Sequence, residues 1–181
     1  EPYCRVMRVQ RDIPTKHSKA GLDKNNLRQI VERKMDEKGI ALRDIKAREI
    51  GRSEVVGEPR VTVMRYDASG GEDVFIQIVD EADQLLGFVR VRFIADSRRP
   101  EFSERSSIVR ELHVYGAAVG IGGGSGNSQH RGFGSWLMDE AERVSAEEGC
   151  DKILVISGIG VREYYRKLGY EREGPYMVKS L

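Results

Sequence analysis

An α+β fold, with a mixed and mostly antiparallel sheet and helices on both faces, follows from three patterns in this 181-residue sequence. Four strand-like runs succeed one another between Arg60 and Gly116, separated by turn signals. A glycine-rich turn then leads into a long amphipathic helix. A short apolar run, a short helix and a last strand close the chain. Strands in series, followed by strand–helix–strand order, fit a sheet whose helices cover its faces.

The elements can be justified in order. Asp23 can cap a helix running through Lys38, with Leu27, Ile30, Val31 and Met35 on one face and Gly39 as its stop. "ALRDIKAREIG" reads as an irregular or extended crossing into the sheet. "RVTVMRYDA" and "EDVFIQIVD" flank "SGG", a hairpin signal. "QLLGFVRVRFI" alternates Phe88, Arg90 and Arg92 against Val89, Val91 and Phe93, which predicts one wet face. "SIVRELHVYG" follows a polar, proline-bearing stretch. "AAVGIGGGSGN" then has linker composition, whether as a natural surface loop or an engineered shortening. In "SQHRGFGSWLMDEAE" and its continuation, Phe133, Trp136, Leu137, Ala141 and Val144 recur at three and four, and Gly149 follows as a stop. "DKILVISG" predicts a short buried strand, "GVREYYRKLG" a short helix and "YEREGPYMVKS" a final strand. Residues 1–60 therefore read as a basic lead-in with a helix, and 61–181 as the sheet domain.

Composition excludes several classes. The 30 basic and 29 acidic side chains nearly balance, so global charge argues neither for nor against a nucleic-acid partner. Locally, Glu1–Leu22 holds five basic residues against two acidic ones, either a binding stretch or ordinary solvated surface. Cys4 and Cys150 are far apart and lack metal-ligand spacing, which speaks against a disulfide framework or a metal site. No apolar run approaches the roughly 18 residues of a membrane span, and the first residues lack the apolar core of a signal peptide. The chain starts without Met and reads as a piece of a longer, cytoplasmic protein.

The chemistry concentrates in three places. Gly132 and Gly134 open a helix, where each costs roughly 0.5–1 kcal/mol relative to alanine. A helix start carries unpartnered N–H groups and partial positive charge, so glycines there suit a phosphate or pyrophosphate. They equally suit close helix–sheet packing. Tyr164 and Tyr165 point about 100° apart on a helix, so one at most reaches a given ligand atom. Such a phenol can protonate a leaving thiolate, or the pair can simply fill the core. In "RELHVYG", Glu111, His113 and Tyr115 share one strand face and Leu112 and Val114 the other. The apolar pair should face the core and the polar trio a cleft. There His113 either accepts a proton or serves as a hydrogen-bonded structural histidine.

Taken in order, "ELHVYG", "QHRGFG" and "GVREYYRKLGY" resemble the GNAT acetyltransferase family, whose pyrophosphate turn has the form Q/R-x-x-G-x-G/A. "CRVMRVQRDIP", "NNLRQIVERKM", "AREIG", "RELHVYG", "QHRGFG", "ISGIGVREYYRKLGY" and "GPYMVK" together are similar to the Elongator catalytic subunits, a family of tRNA uridine acetyltransferases, over nearly the whole chain. The resemblance implies a GNAT-like sheet and acetyl-CoA as cofactor. It places the pyrophosphate on the turn formed by Gln129, His130, Arg131, Gly132, Phe133 and Gly134, where the ring of His130 counts for less than its backbone. It brings Leu112, His113, Val114 and Ser157 to the rest of the cofactor, and Tyr164 or Tyr165 to its sulfur. Glu111 and His113 join the tyrosines as catalytic candidates. It implies tRNA as substrate, with 5-carboxymethyluridine formed at the wobble position, and Arg5, Arg8, Arg11, Arg90 and Arg92 as an RNA track. Other Elongator subunits, or a second copy, are implied partners. The family's radical domain, with its iron–sulfur cluster and S-adenosylmethionine, has no cysteine triplet here. Residues 117–128 depart most from the family. Two rival readings stay open: a protein-lysine or small-molecule acetyltransferase, and a non-catalytic module that binds acetyl-CoA and tRNA.

Overall fold

The computed structural model describes residues 1–7, 20, 26–94, 99–115 and 132–181. The chain divides into two compact units, Glu1–Glu49 and Ile50–Leu181.

The first unit carries helix α1, Leu27–Glu37, and the single turn α2, Ile45–Arg48. The "ALRDIKAREIG" stretch thus contains a helical turn rather than an extended crossing. Asp44 precedes it in extended conformation, and the carbonyl of Asp44 accepts from Ala47 and Arg48. The lead-in is tied to this turn. Ile45 N donates to the Cys4 carbonyl at 2.8 Å, and the buried Arg48 donates to the Pro2 carbonyl at 3.0 Å. Arg28 of α1 pairs with Glu32 at 2.6 Å and Asp44 at 3.5 Å. Asp23, read as the cap of α1, lies outside the described residues.

The second unit is a seven-stranded sheet: β1 Arg60–Ala68, β2 Gly71–Val79, β3 Leu85–Phe93, β4 Ser106–Val114, β5 Lys152–Val155, β6 Glu171–Glu173 and β7 Tyr176–Ser180. The spatial order is β1-β2-β3-β4-β5-β7-β6. Every neighbouring pair is antiparallel except β4–β5. That parallel pair is bridged by helix α3, Phe133–Glu147, as parallel strands require. A 3-10 turn at Ile159–Val161 leads into helix α4, Arg162–Lys167. The last strand predicted from sequence is a hairpin, β6 and β7. Gly174, at φ +58°, turns the chain between them, a conformation a side chain would strain.

The apolar stripe of α3 meets one sheet face. Leu137, Met138, Ala141 and Val144 bury against Val74, Ile76, Val89, Val91, Val109 and Ile153, among others. Truncating one of these, Leu137 to Ala for example, costs about 2–5 kcal/mol. The opposite face is drier than its alternation implies. Phe75 and Phe88 are fully buried with ring centroids 4.9 Å apart, and Arg90 and Arg92 are only 15% and 20% exposed. The wet face expected on β3 is closed because its arginines turn inward to acid and aromatic partners.

A buried carboxylate organises the β2–β3 turn. Asp80 Oδ1 accepts from the Ala82 and Gln84 amides at 3.0 and 2.9 Å, and Oδ2 from Val56 N at 2.9 Å and Gln84 Nε2 at 2.7 Å. Burial alone would raise its pKa. These four donors outweigh that and hold it below the ordinary carboxylate range.

Candidate active site

The β4–β5 pair opens partway along its length. Parallel pairing runs from Ser106↔Lys152 to Val109↔Val155 and ends there. Strand β4 continues to Val114, paired with β3 alone among the described strands. Two local features produce the opening. At Arg110, β4 carries one extra residue: Val91 pairs with Val109, but the next residue of β3, Arg90, pairs with Glu111. After Val155, β5 leaves the sheet through Ile156, Ser157 and Gly158. The rim is apolar, since Val114, Ile156, Ile159 and Val161 are at least half exposed.

The start of α3 lies beside this opening. Gly132 precedes the helix in extended conformation, and its carbonyl accepts from Ser135 N at 2.9 Å and Trp136 N at 3.3 Å. No side chain among the described residues caps the helix, and the first-turn N–H groups of Phe133 and Gly134 have no acceptor within it. The two glycines answer to different demands. Among the described residues a Cβ on Gly132 would meet nothing within 4 Å, so packing against them does not require glycine there. A Cβ on Gly134 would stand 2.7 Å from the Tyr164 hydroxyl and 3.7 Å from Val114 Cγ2. Packing therefore accounts for Gly134, and Gly132 keeps an open approach to the helix terminus.

The geometry separates the tyrosines. The ring of Tyr165 is buried between Tyr164, 5.1 Å away, and Tyr170, 5.8 Å away, both edge to face. The expectation that either tyrosine could serve is narrowed by this: Tyr165 is core, and Tyr164 faces the site. The Tyr164 hydroxyl is buried without a hydrogen-bond partner among the described residues. Burial pushes its pKa up. Ser135 is near enough to lower it but not in hydrogen-bonding geometry, and Asp139 raises it further. Tyr170 donates to Glu142 Oε1 at 2.9 Å, and Glu142 Oε2 pairs with Lys179 at 2.7 Å, which ties the residues after α4 to α3. The Ser157 hydroxyl is likewise buried and unpartnered among the described residues.

On the sheet face opposite α3, Glu111 and His113 do come together, with His113 Nε2 3.1 Å from Glu111 Oε1. The His113 ring stacks on Tyr115 at 6.2 Å and tilts on Phe88 at 5.3 Å. Leu112 packs against the core as its alternation predicts. Val114 does not: it is 51% exposed, because it lies at the mouth beside the first turn of α3. Arg90 pairs with Glu111 Oε2 at 3.4 Å. Arg92 faces Asp73 at 3.7 Å and donates to the Ala68 carbonyl at 2.6 Å. The two arginines share a face as expected, but both are bound inside the molecule, which does not suit a phosphate-contacting track. Arg5 belongs to the described lead-in. Arg8, Arg11, Gln129, His130 and Arg131 lie outside the described residues. Sequence reading missed the extra residue at Arg110 and the Arg90–Glu111 pair. The only signal was that an unbroken register would set Arg90 opposite Arg110, like charge on like.

Among the described residues no cluster of His, Cys, Asp or Glu could hold a metal ion, and no helix is long and apolar enough to cross a membrane.

A sheet splayed at its single parallel pair, with a helix start and a buried phenol at the opening, is the framework of an acyl-transferring enzyme. The chain belongs to the acetyltransferase (GNAT) family, whose sequence model matches residues 41–170. It is similar to Elongator complex protein 3 of Danio rerio, 46% identical over 99% of this chain and 34% of that protein. Elongator complex protein 3 of Saccharomyces cerevisiae matches equally, at 46% identity over the same shares. The chain thus spans about a third of the length of the curated relatives it matches. Among solved structures, the archaeal Methanocaldococcus infernus Elp3 with an N-terminal deletion superimposes with a TM-score of 0.82 at 42% identity, covering 96% of this chain and 43% of that one.

Proposed function

We propose that this chain is the acetyltransferase domain of a tRNA wobble-uridine-modifying enzyme, and that it binds acetyl-CoA and cleaves its thioester in the service of 5-carboxymethyluridine formation. The observation that carries the reading is the Tyr164 hydroxyl, buried and, among the described residues, unpartnered beside the helix start at Gly132 and the open half of β4.

The residues fit the ligand. The N–H groups of Gly132, Phe133 and Gly134, with the positive end of α3, suit a pyrophosphate, and Gln129, His130 and Arg131 complete that turn. The edge of Leu112, His113 and Val114 and the Ser157 hydroxyl suit the amides of the pantetheine arm. When bound, acetyl-CoA supplies an acetyl group activated as a thioester. His113, held by Glu111, takes the proton of the attacking oxygen, from water or from a substrate hydroxyl, as that oxygen bonds to the carbonyl carbon. Tyr164 gives its proton to the sulfur as the carbon–sulfur bond breaks. Solvent then returns a proton to Tyr164 and removes one from His113, so the balance closes with coenzyme A and an acetyl product. The raised pKa of Tyr164 keeps it protonated near neutrality, as a general acid requires.

The likeness to Elongator complex protein 3 supports tRNA as the partner nucleic acid, a cytoplasmic setting, and assembly with further subunits or a second copy. Radical chemistry is assigned to a further domain of the longer protein. Arg5, Arg8 and Arg11 stay with the tRNA contact. Calorimetry tests the core of the reading. Gly132→Glu should abolish coenzyme A binding with the fold intact, because its side chain enters open space the pyrophosphate would occupy. Unchanged affinity would remove the assignment, and coenzyme A release indifferent to added tRNA would remove the substrate.

A further inference from the structure

We infer that Arg90 is a positioning residue of this site, fixing the Glu111 carboxylate so that Glu111 holds the His113 imidazole for proton acceptance. The inference rests on the acyl-transfer reading above and adds to it a residue the sequence had assigned to RNA.

Arg90 is confined on several sides. Its guanidinium lies over the rings of Phe75, Tyr66 and Phe88, at 5.2, 5.8 and 6.0 Å from their centroids. One terminal nitrogen donates to the Tyr66 hydroxyl. Planar guanidinium groups stack on aromatic faces and keep their donors in a rigid fork, which an ammonium does not. The fork aims Nε at Glu111 Oε2, 3.4 Å away. The other carboxylate oxygen, Oε1, is thereby turned toward His113 Nε2 at 3.1 Å. Glu111 is 30% exposed, so losing Arg90 removes one of the contacts that hold its carboxylate out of water. With Nε2 3.1 Å from the Glu111 carboxylate, the tautomer that carries hydrogen on Nε2 is the favoured one, which leaves Nδ1 as the nitrogen able to take a proton.

Two further observations point the same way. The extra residue at Arg110 is what brings Glu111, rather than a third arginine, opposite Arg90. The other acid of this face, Asp73, is turned to different arginines: Arg110 at 2.9 Å and Arg92 at 3.7 Å.

The test combines nitrogen-15 spectra of the histidine rings with acetyl-CoA cleavage, on the unaltered chain and on R90Q, R90K and E111Q. H113Q identifies the His113 signals among the three histidines. At about pH 8 the unaltered protein should show His113 with hydrogen on Nε2. R90Q and E111Q should both mix the two tautomers, with R90K between them and the parent. R90Q should also lower kcat by roughly 10- to 100-fold with KM within about threefold. His113 signals in R90Q like those of the parent overturn the inference, as do mixed tautomers at full kcat. If R90Q does not fold, R90K decides by the same two readings. The failures separate cleanly: an unaltered chain that binds no coenzyme A removes the proposed function, whereas one that binds it, with a His113 spectrum indifferent to Arg90, removes the positioning role alone.

Discussion

Replacing Gly134 with alanine sets two effects of known size against each other. Alanine gains up to about 1 kcal/mol over glycine within a helix. The new Cβ, however, would stand 2.7 Å from the Tyr164 hydroxyl, where ordinary contact begins at 3.4 Å. Overpacking of this kind costs about 1–3 kcal/mol. The net destabilisation is about 0–2 kcal/mol, a fall in Tm of less than about 8 °C for a chain of this length. The effect on catalysis is larger. The hydroxyl must retreat by most of an ångström, and misplacements of that order cost up to about 100-fold in rate. Gly134→Ala should therefore fold, melt close to the parent and cleave acetyl-CoA roughly 10- to 100-fold more slowly. Thermal unfolding and coenzyme A release measured on the same preparation decide it. A variant about 1 kcal/mol more stable, with full turnover, would show that Tyr164 is not held against the helix start.

Tyr164→Phe removes the orphaned hydroxyl and should lower turnover by roughly 10²–10⁴-fold at nearly unchanged affinity. Tyr165→Phe should leave turnover close to the parent's, and equal losses in the two would contradict the assignment. Asp80→Asn should cost about 2–4 kcal/mol in urea unfolding, because an amide NH2 replaces an acceptor facing two donors. Its sign with pH is fixed: the folded pKa is depressed, so the contribution of Asp80 is full above the unfolded carboxylate range near 4 and is lost as pH falls through the folded value. In Asp80→Asn the acid-side fall in stability should be shallower than in the parent, and parallel curves would deny the buried carboxylate this role.

Much of this was legible in the sequence because local patterns and tertiary demands agree. The α3 stripe and the four antiparallel runs each have one good solution. What escaped reading lies where a single residue changes the register. Nothing local marks Arg110 as supernumerary, and that extra residue decides which acid meets Arg90. The hairpin of β6 and β7 was fused into one strand because only the Gly174-Pro175 pair breaks an otherwise strand-compatible run. Tyr164 and Tyr165 are equivalent by composition. They differ only in rotation about α4, which the packing of Tyr165 against Tyr170 sets. Val114 reads as core by alternation and is exposed because the strand reaches the mouth of the opening.

The open half of β4 also bears on the risk of strand pairing with other molecules. An unpaired strand edge invites strands from other molecules, and rims are commonly defended with charge. The outer strand β6 is so defended, being Glu171-Arg172-Glu173, all three exposed. The edge on β4 is protected by its location instead. It lies inside the sheet, with β5 joined to its base through four register pairs. A strand arriving from another molecule would have to wedge those two apart, whereas a thin, extended arm can slide between them.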